Sequence, residues 1–279
     1  MNALAHPMSA LGRATLVPRA FFVRDRRIET SYRAGTLLRI AGSMVTVGIF
    51  FFLSRTLERG APNLTLVGGS YFAFVLVGIA VQEFLSQVVG GFGGAVRESQ
   101  VSGTLELMLL GPSRLATILV SSTLWLQVSA ALGAGLYLVL GAVLGVDLTR
   151  ANIPATIVGL GLMLVGFMGM GLLAGATVLV IKRGNPVGWA LRGASIVLGG
   201  AFYPVSVLPV PLQVLGEALP MTHALTVLRG ALLDGRGIVE LAGPIVALTV
   251  VSAGFLVAGI VAFAAAIRYA RVDGSLAQY

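Results

Sequence analysis

Apolar residues run along this chain in long blocks, and polar residues are gathered into the short stretches between them. Six blocks, 36–57, 65–92, 116–145, 154–181, 188–207 and 243–267, approach or exceed 20 residues. That is the length a helix rising 1.5 Å per residue needs to cross the hydrocarbon of a bilayer. The second, third and fourth are longer than one crossing, which predicts tilt or protrusion. The pattern therefore predicts an all-α membrane protein with six transmembrane helices over 36–267, an N-terminal segment 1–35 and a tail 268–279.

Two polar stretches have a pattern of their own. Over 19–33, RAFFVRDRRIETSYR, the apolar residues Phe21, Ile28 and Tyr32 fall on one helical face, interrupted by Asp25. This predicts an amphipathic helix lying in the membrane interface ahead of the first span. Between the fifth and sixth spans, residues 203–237 carry Pro204, Pro209, Pro211 and Pro220 among apolar pieces too short to cross. Proline stops a helix and favours the first turn of a new one. Broken half-length helices that dip into one leaflet are the expectation.

Composition narrows the class. Hydrophobic residues make up 57% of the chain and charged residues 11%, well under the roughly 25% charged of a soluble domain. The absence of cysteine removes thiol nucleophiles and thiolate metal sites. The net charge of +8 would point to nucleic acid in a soluble protein, but here the first question is where the charges sit. With the N-terminus inside, inner segments hold fourteen basic residues, among them Arg19, Arg24, Arg26, Arg27, Arg33, Arg97 and Arg114. Outer segments hold five, Arg55, Arg59, Arg150, Arg229 and Arg236, which completes the 19 Lys and Arg. The asymmetry predicts cytoplasmic termini and no role in nucleic-acid binding. Arg39 and Arg192 lie close enough to predicted inner ends to snorkel as anchors. No secretory leader is expected in residues 1–35, which lack a continuous apolar run.

Candidate chemistry is sparse. The two histidines, His6 and His223, have no partners at metal-ligand or triad spacing, so neither a metal site nor catalysis is expected. The glycine clusters at 90–94 and 159–175 are not phosphate loops, since no GxxxxGK[ST] occurs. They read as close-packing positions, with Gly141–Gly145 and Gly171–Gly175 as GxxxG pairs. Glu83 lies mid-span with Gln87 one turn on, and an intramembrane carboxylate is a functional candidate by default. It either lines a translocation path or is a hydrogen-bonded structural glutamate. A proton relay would need a second buried titratable group, which the spans do not show.

The segment 97–114, RESQVSGTLELMLLGPSR, is the most informative. Arg97 and Glu98 close the second apolar block, Gly103 permits a turn, and 104–110 make two helical turns before Pro112. Glu106 in the first turn suits the helix dipole. Five of the seven residues at 104–110 are apolar without forming one stripe, so this short helix needs two surfaces to bury them. The run RE…GTLELMLLGP resembles the cytoplasmic signature of type-2 ABC exporter permeases. Residues 202–230, FYPVSVLPVPLQVLGEALPMTHALTVLRG, resemble the outer region of the same family.

That resemblance implies the permease subunit of an ATP-driven exporter in a prokaryotic plasma membrane. It implies a second permease copy, a homodimer, and two ATP-binding subunits that hold ATP and magnesium, with none bound by this chain. Residues 98–110 would be the coupling helix, with Arg97, Glu98, Gly103, Thr104, Leu105 and Glu106 as contact positions. Glu83 and Gln87 would lie on the path of a hydrophobic or amphipathic substrate such as a drug, lipid or glycan-lipid. The competing readings are an ion-gradient-driven carrier using Glu83, which would want paired carboxylates and an internal repeat, and an intramembrane enzyme, which would want converging histidines or carboxylates.

Overall fold

The computed structural model describes residues 19–27, 31, 33–60, 70–101, 115–181 and 184–272. Among these there are helices and no strands. A short helix α1 covers 19–27, followed by α2 (Arg33–Gly60), α3 (Tyr71–Val101), α4 (Leu115–Val143) and α5 (Ile153–Ile181). Then come three short helices, α6 (Pro186–Leu198), α7 (Val210–Glu217) and α8 (Pro220–Leu232), and the long α9 (Ala242–Val272).

Five helices, α2, α3, α4, α5 and α9, are long and apolar enough to cross a membrane, consistent with a multi-pass membrane protein. The block at 188–207 differs from its sequence expectation. Its helix α6 has 13 residues, about 20 Å of rise, and ends at Leu198. Gly199 and Gly200 follow, and Gly200 has φ 76°, a left-handed turn that no apolar count detects. The second block is displaced the other way: its helix begins at Tyr71 and runs straight through Arg97 and Glu98. Of the predicted interfacial helix, 19–27 is helical, while Ile28 and Tyr32 lie outside the described residues.

α3 is the centre of the bundle. Val75, Leu76, Leu85, Val88 and Val89 on several of its faces are almost wholly buried, because α2, α4, α5, α6 and α8 all pack around it. A helix apolar on every side is the sequence form of that position. In its 18-residue apolar window 78% of residues are buried, against 11% for α2 and 17% for α9. The last two helices thus form the rim and turn apolar side chains such as Met44, Ile49, Val250 and Val257 outward.

Glycine sets the tightest helix crossings. α5 and α9 make the most extensive helix pair. A Cβ on Gly169 would sit 2.4 Å from the Phe255 backbone, and one on Gly259 would sit 2.5 Å from the Gly169 carbonyl oxygen. In lipid, helix association depends on such close packing more than on apolar burial. Of the predicted GxxxG pairs, Gly171 lies against Phe92 and Gly175 faces Phe263 and Val96, and Gly141 lies against Leu76. Gly145 does something else. At φ 99° it ends α4, and the Val146 N–H closes back on the Gly141 carbonyl at 2.9 Å, a glycine C-terminal cap.

The α4–α5 connection is then held by Asp147, whose carboxylate accepts from the Thr149 hydroxyl at 2.6 Å and backbone N–H at 2.9 Å. Those bonds hold its pKa below the ordinary aspartate value. Asn152 caps α5, accepting from the Ala155 N–H at 3.1 Å.

Gly259→Leu is expected to cost about 1–3 kcal/mol or more by overpacking against backbone. Gly254→Ala, in α9 with nothing within 4 Å of its added Cβ, is expected to be neutral or slightly stabilising. Thermal unfolding in detergent measures both, and equal losses would refute the close-approach assignment.

Candidate functional site

Two regions concentrate polar atoms, one at each end of α3. At the Val101 end, Arg97 and Glu98 stand exposed on the last turns of the helix. Gly103, Thr104, Leu105 and Glu106 lie outside the described residues. Of the expected contact positions, Arg97 and Glu98 fall within the described residues, both on α3.

The Tyr71 end is more fully built. Arg229, on α8, is buried, which its count among the outer-segment basic residues did not indicate. Its Nε and Nη2 donate to the Phe74 carbonyl at 3.1 and 3.0 Å, Nη1 to Gly200 at 2.9 Å, and Nη2 to Ala201 at 2.9 Å. The guanidinium carbon lies 3.4 Å from the centre of the Phe74 ring. One turn earlier on α3, the Tyr71 hydroxyl donates to the Phe202 carbonyl at 3.1 Å. Three successive carbonyls after the α6 break are thus satisfied by side chains from two other helices.

Gly78 is what lets the break approach α3 at all: a Cβ there would come 2.0 Å from the Ala201 carbonyl oxygen.

Around Arg229 lies a cavity of about 360 Å³, with Thr226, His223, Glu217, Asp234 and Arg236 in its lining. The α7–α8 corner that forms one wall is pinned by two bonds. The Thr222 hydroxyl donates to the Gly216 carbonyl at 2.6 Å, and a His223 ring nitrogen lies 2.7 Å from the Glu217 carbonyl. Asp234 pairs with Arg236 at 3.1 Å. His223 is thus a structural clamp on the corner. Among the described residues no three His, Asp or Glu side chains gather as a metal site.

Mid-bundle, the structure brings Glu83 and Gln87 together as their spacing implies. The Gln87 amide donates to the Glu83 carboxylate at 3.1 Å, and both are half-buried. Gln87 faces Gly133 on α4. One turn away on the same helix, Ser129 accepts from Arg39 at 2.7 Å. Arg39 therefore reaches across to α4 as well as lying near a helix end, and it lines a cavity of about 330 Å³ between α2 and α4 with Thr36, Ser129 and Gly133. Arg192 folds back on its own helix, donating to the Gly188 carbonyl at 3.1 Å.

No family model matches this sequence, and no curated protein matches it.

Arg229→Met would take their side-chain donor from the Gly200 and Ala201 carbonyls and a second donor from the helical Phe74 carbonyl, and a loss of at least ~3 kcal/mol is expected. Arg229→Lys keeps the charge but not the planar fork, so it should fall between. Unfolding midpoints for the three chains test this order. A methionine variant as stable as the parent would show that the break is held by other contacts.

Proposed function

We propose that this chain is the membrane subunit of an ATP-driven exporter, with ATP hydrolysed by separate ATP-binding subunits. The supporting observation is the position of α3. It starts beneath the Arg229 anchor and ends at Arg97 and Glu98, next to the GTLE segment. At 31 residues it spans about 46 Å. Force applied at the Glu98 end would be carried along the bundle's most buried helix to the broken helices at the other. In this reading two copies pair around a path, each seated on one ATP-binding subunit through residues 98–110. ATP-driven closure then biases the spans between two discrete packings.

The termini and the Glu98 end face the cytoplasm of a prokaryotic cell, and α6–α8 lie toward the outside. Two separated apolar segments, 210–217 and 220–232, joined at a tight corner, support the idea that α7 and α8 enter the outer leaflet. Irregular backbone at that depth is tolerated only where protein covers it, and the bonds from Arg229 and Tyr71 provide such cover. A hydrophobic or amphipathic substrate fits the apolar linings best.

Two measurements test this. Co-purification from the native membrane should bring an ATP-binding subunit in equal amount, and Glu98→Arg/Glu106→Arg should abolish assembly or ATPase stimulation. Full stimulation by the double variant refutes the coupling assignment. A chain that purifies alone, and whose transport is lost in Glu83→Gln, supports the gradient-driven carrier instead.

Leaflet entry has its own readout. Val210 and Val214 are exposed on the isolated chain, so slow labelling of cysteines placed there by a membrane-impermeant thiol reagent, persisting without crosslinking between two copies, comes from lipid. A cysteine at Asp147 should label fast. Equal rates would place α7 in water.

A further inference from the structure

α4 and α5 are joined by a short turn and both pack firmly on α3, yet they scarcely touch each other. The gap between them is a crevice of about 590 Å³, within the size range of small-molecule sites. Phe84 of α3 forms its floor, Val128 and Leu160 stand on its two walls, and Phe22 of α1 closes one end. Val128 and Leu160 are partly exposed, so the crevice opens sideways, toward the hydrocarbon. Its lining is apolar apart from Gln127, whose amide lies 3.5 Å from Thr123 on its own helix.

The closing helix adds a second chemistry. α1 is fixed over the crevice by Phe22, which packs edge-on against Trp125 of α4 at 5.3 Å. Arg19 and Arg26 lie three and four residues from Phe22 and share its face. Both are exposed. Asp25 is on that face too, and is engaged by Arg24 at 2.7 Å. The helix therefore carries four arginines against one aspartate, directly where the apolar crevice ends. An apolar slot open to the bilayer, closed at the interface by a strongly cationic helix, complements one occupant: an acyl chain whose headgroup bears a negative phosphate.

We infer that this crevice is a binding site for an anionic phospholipid of the leaflet facing α1, with one acyl chain between α4 and α5 and the phosphate beside Arg19 and Arg26. The site rests on the multi-pass membrane placement alone and stands whether or not the chain is an exporter subunit. A bound lipid would splint α1 to α4 and α5, so the position of α1 would depend on membrane charge.

Gly161 supplies the test. It lines the crevice, and a Cβ added to it meets nothing within 4 Å, so a large side chain there enters the slot and not the protein. The full chain, extracted and incubated with phosphatidylglycerol or phosphatidylcholine of identical acyl chains, is read by native mass spectrometry. The wild type should retain phosphatidylglycerol preferentially, and Gly161→Phe should lose it at an unchanged unfolding midpoint. Arg19→Gln/Arg26→Gln should lose roughly fivefold of the preference per arginine.

Equal retention of the two lipids by the wild type would overturn the proposal, as would undiminished phosphatidylglycerol on Gly161→Phe. So would efficient crosslinking between two copies through cysteines at Leu160, which would make the crevice a subunit contact. Should Gly161→Phe fail to fold, Trp189→Phe leaves Trp125 as the sole tryptophan beside α1. Brominated phosphatidylglycerol should then quench it more than brominated phosphatidylcholine, and equal quenching would also overturn the site.

Discussion

A helix that stops inside an apolar bundle leaves carbonyls with nothing to bind, and this fold depends on how that is resolved at residues 200–202. α6 ends at Leu198, Gly200 turns left-handed, and the next carbonyls point away from any helix of their own. Arg229 takes those of Gly200 and Ala201, together with that of Phe74, and Tyr71 takes that of Phe202. Burying a guanidinium costs several kcal/mol even after relaxation. Four charge-assisted bonds at about 1.5–3 kcal/mol each offset that cost, and the Phe74 ring face contributes further. No carboxylate is needed in this balance, because carbonyl dipoles and an aromatic face spread the charge. The arginine and the break therefore require each other: neither is tolerable alone at this depth.

Several other features follow from that pairing. α8 must lie deep in the bundle to bring Arg229 to the break, and its Thr222, Leu225 and Leu228 are buried accordingly. α3 must run within touching distance of residue 201, which Gly78 permits. Phe202, once fixed, offers a stacking surface to Phe50 of α2, with ring centres 5.4 Å apart. The same logic governs α5 and α9, where glycine at 169 and 259 lets backbone approach backbone. Hydrophobicity alone does not choose these partners, since lipid tails are as apolar as the helices.

How much of this was legible in the sequence depends on the kind of signal each element carries. Length and continuity of apolar residues located α2, α3, α4, α5 and α9, because crossing a bilayer imposes a length. They misread 188–207 as a sixth continuous span, because IVLGGAFYPVSV is apolar on both sides of the break and composition does not record a left-handed glycine. The prolines at 209, 211 and 220 did predict that 203–237 would be broken helices. Counting charges segment by segment assigned Arg229 to a side of the membrane and said nothing of its burial. Its position one turn after Leu225 and next to Leu228, on the apolar face of α8, was the available signal that it faces inward. Glu83 and Gln87 were paired correctly from the i, i+4 rule, whereas Arg39 meeting Ser129 joins residues 90 apart, a contact that periodicity does not reveal.

The distribution of tight contacts also limits which parts of the bundle can shift. α5 and α9 are locked backbone to backbone, α8 is tied to α3 and the α6 break by Arg229, and the α5–α6 turn is set against α3 through Asn185 at Gly93. These elements form one close-packed block, and interiors packed this way change between discrete arrangements and do not deform smoothly. α1 and α2 meet that block and α4 through aromatic contacts and side-chain hydrogen bonds such as that of Arg39 to Ser129. α4 itself leans on α3 while standing apart from α5. It packs on α3 more extensively than α5 does and so belongs with that block, which leaves α1 and α2 as the helices at its periphery. Arg39 of α2 and Ser129 of α4 meet across that boundary, where a change in packing alters their surroundings most.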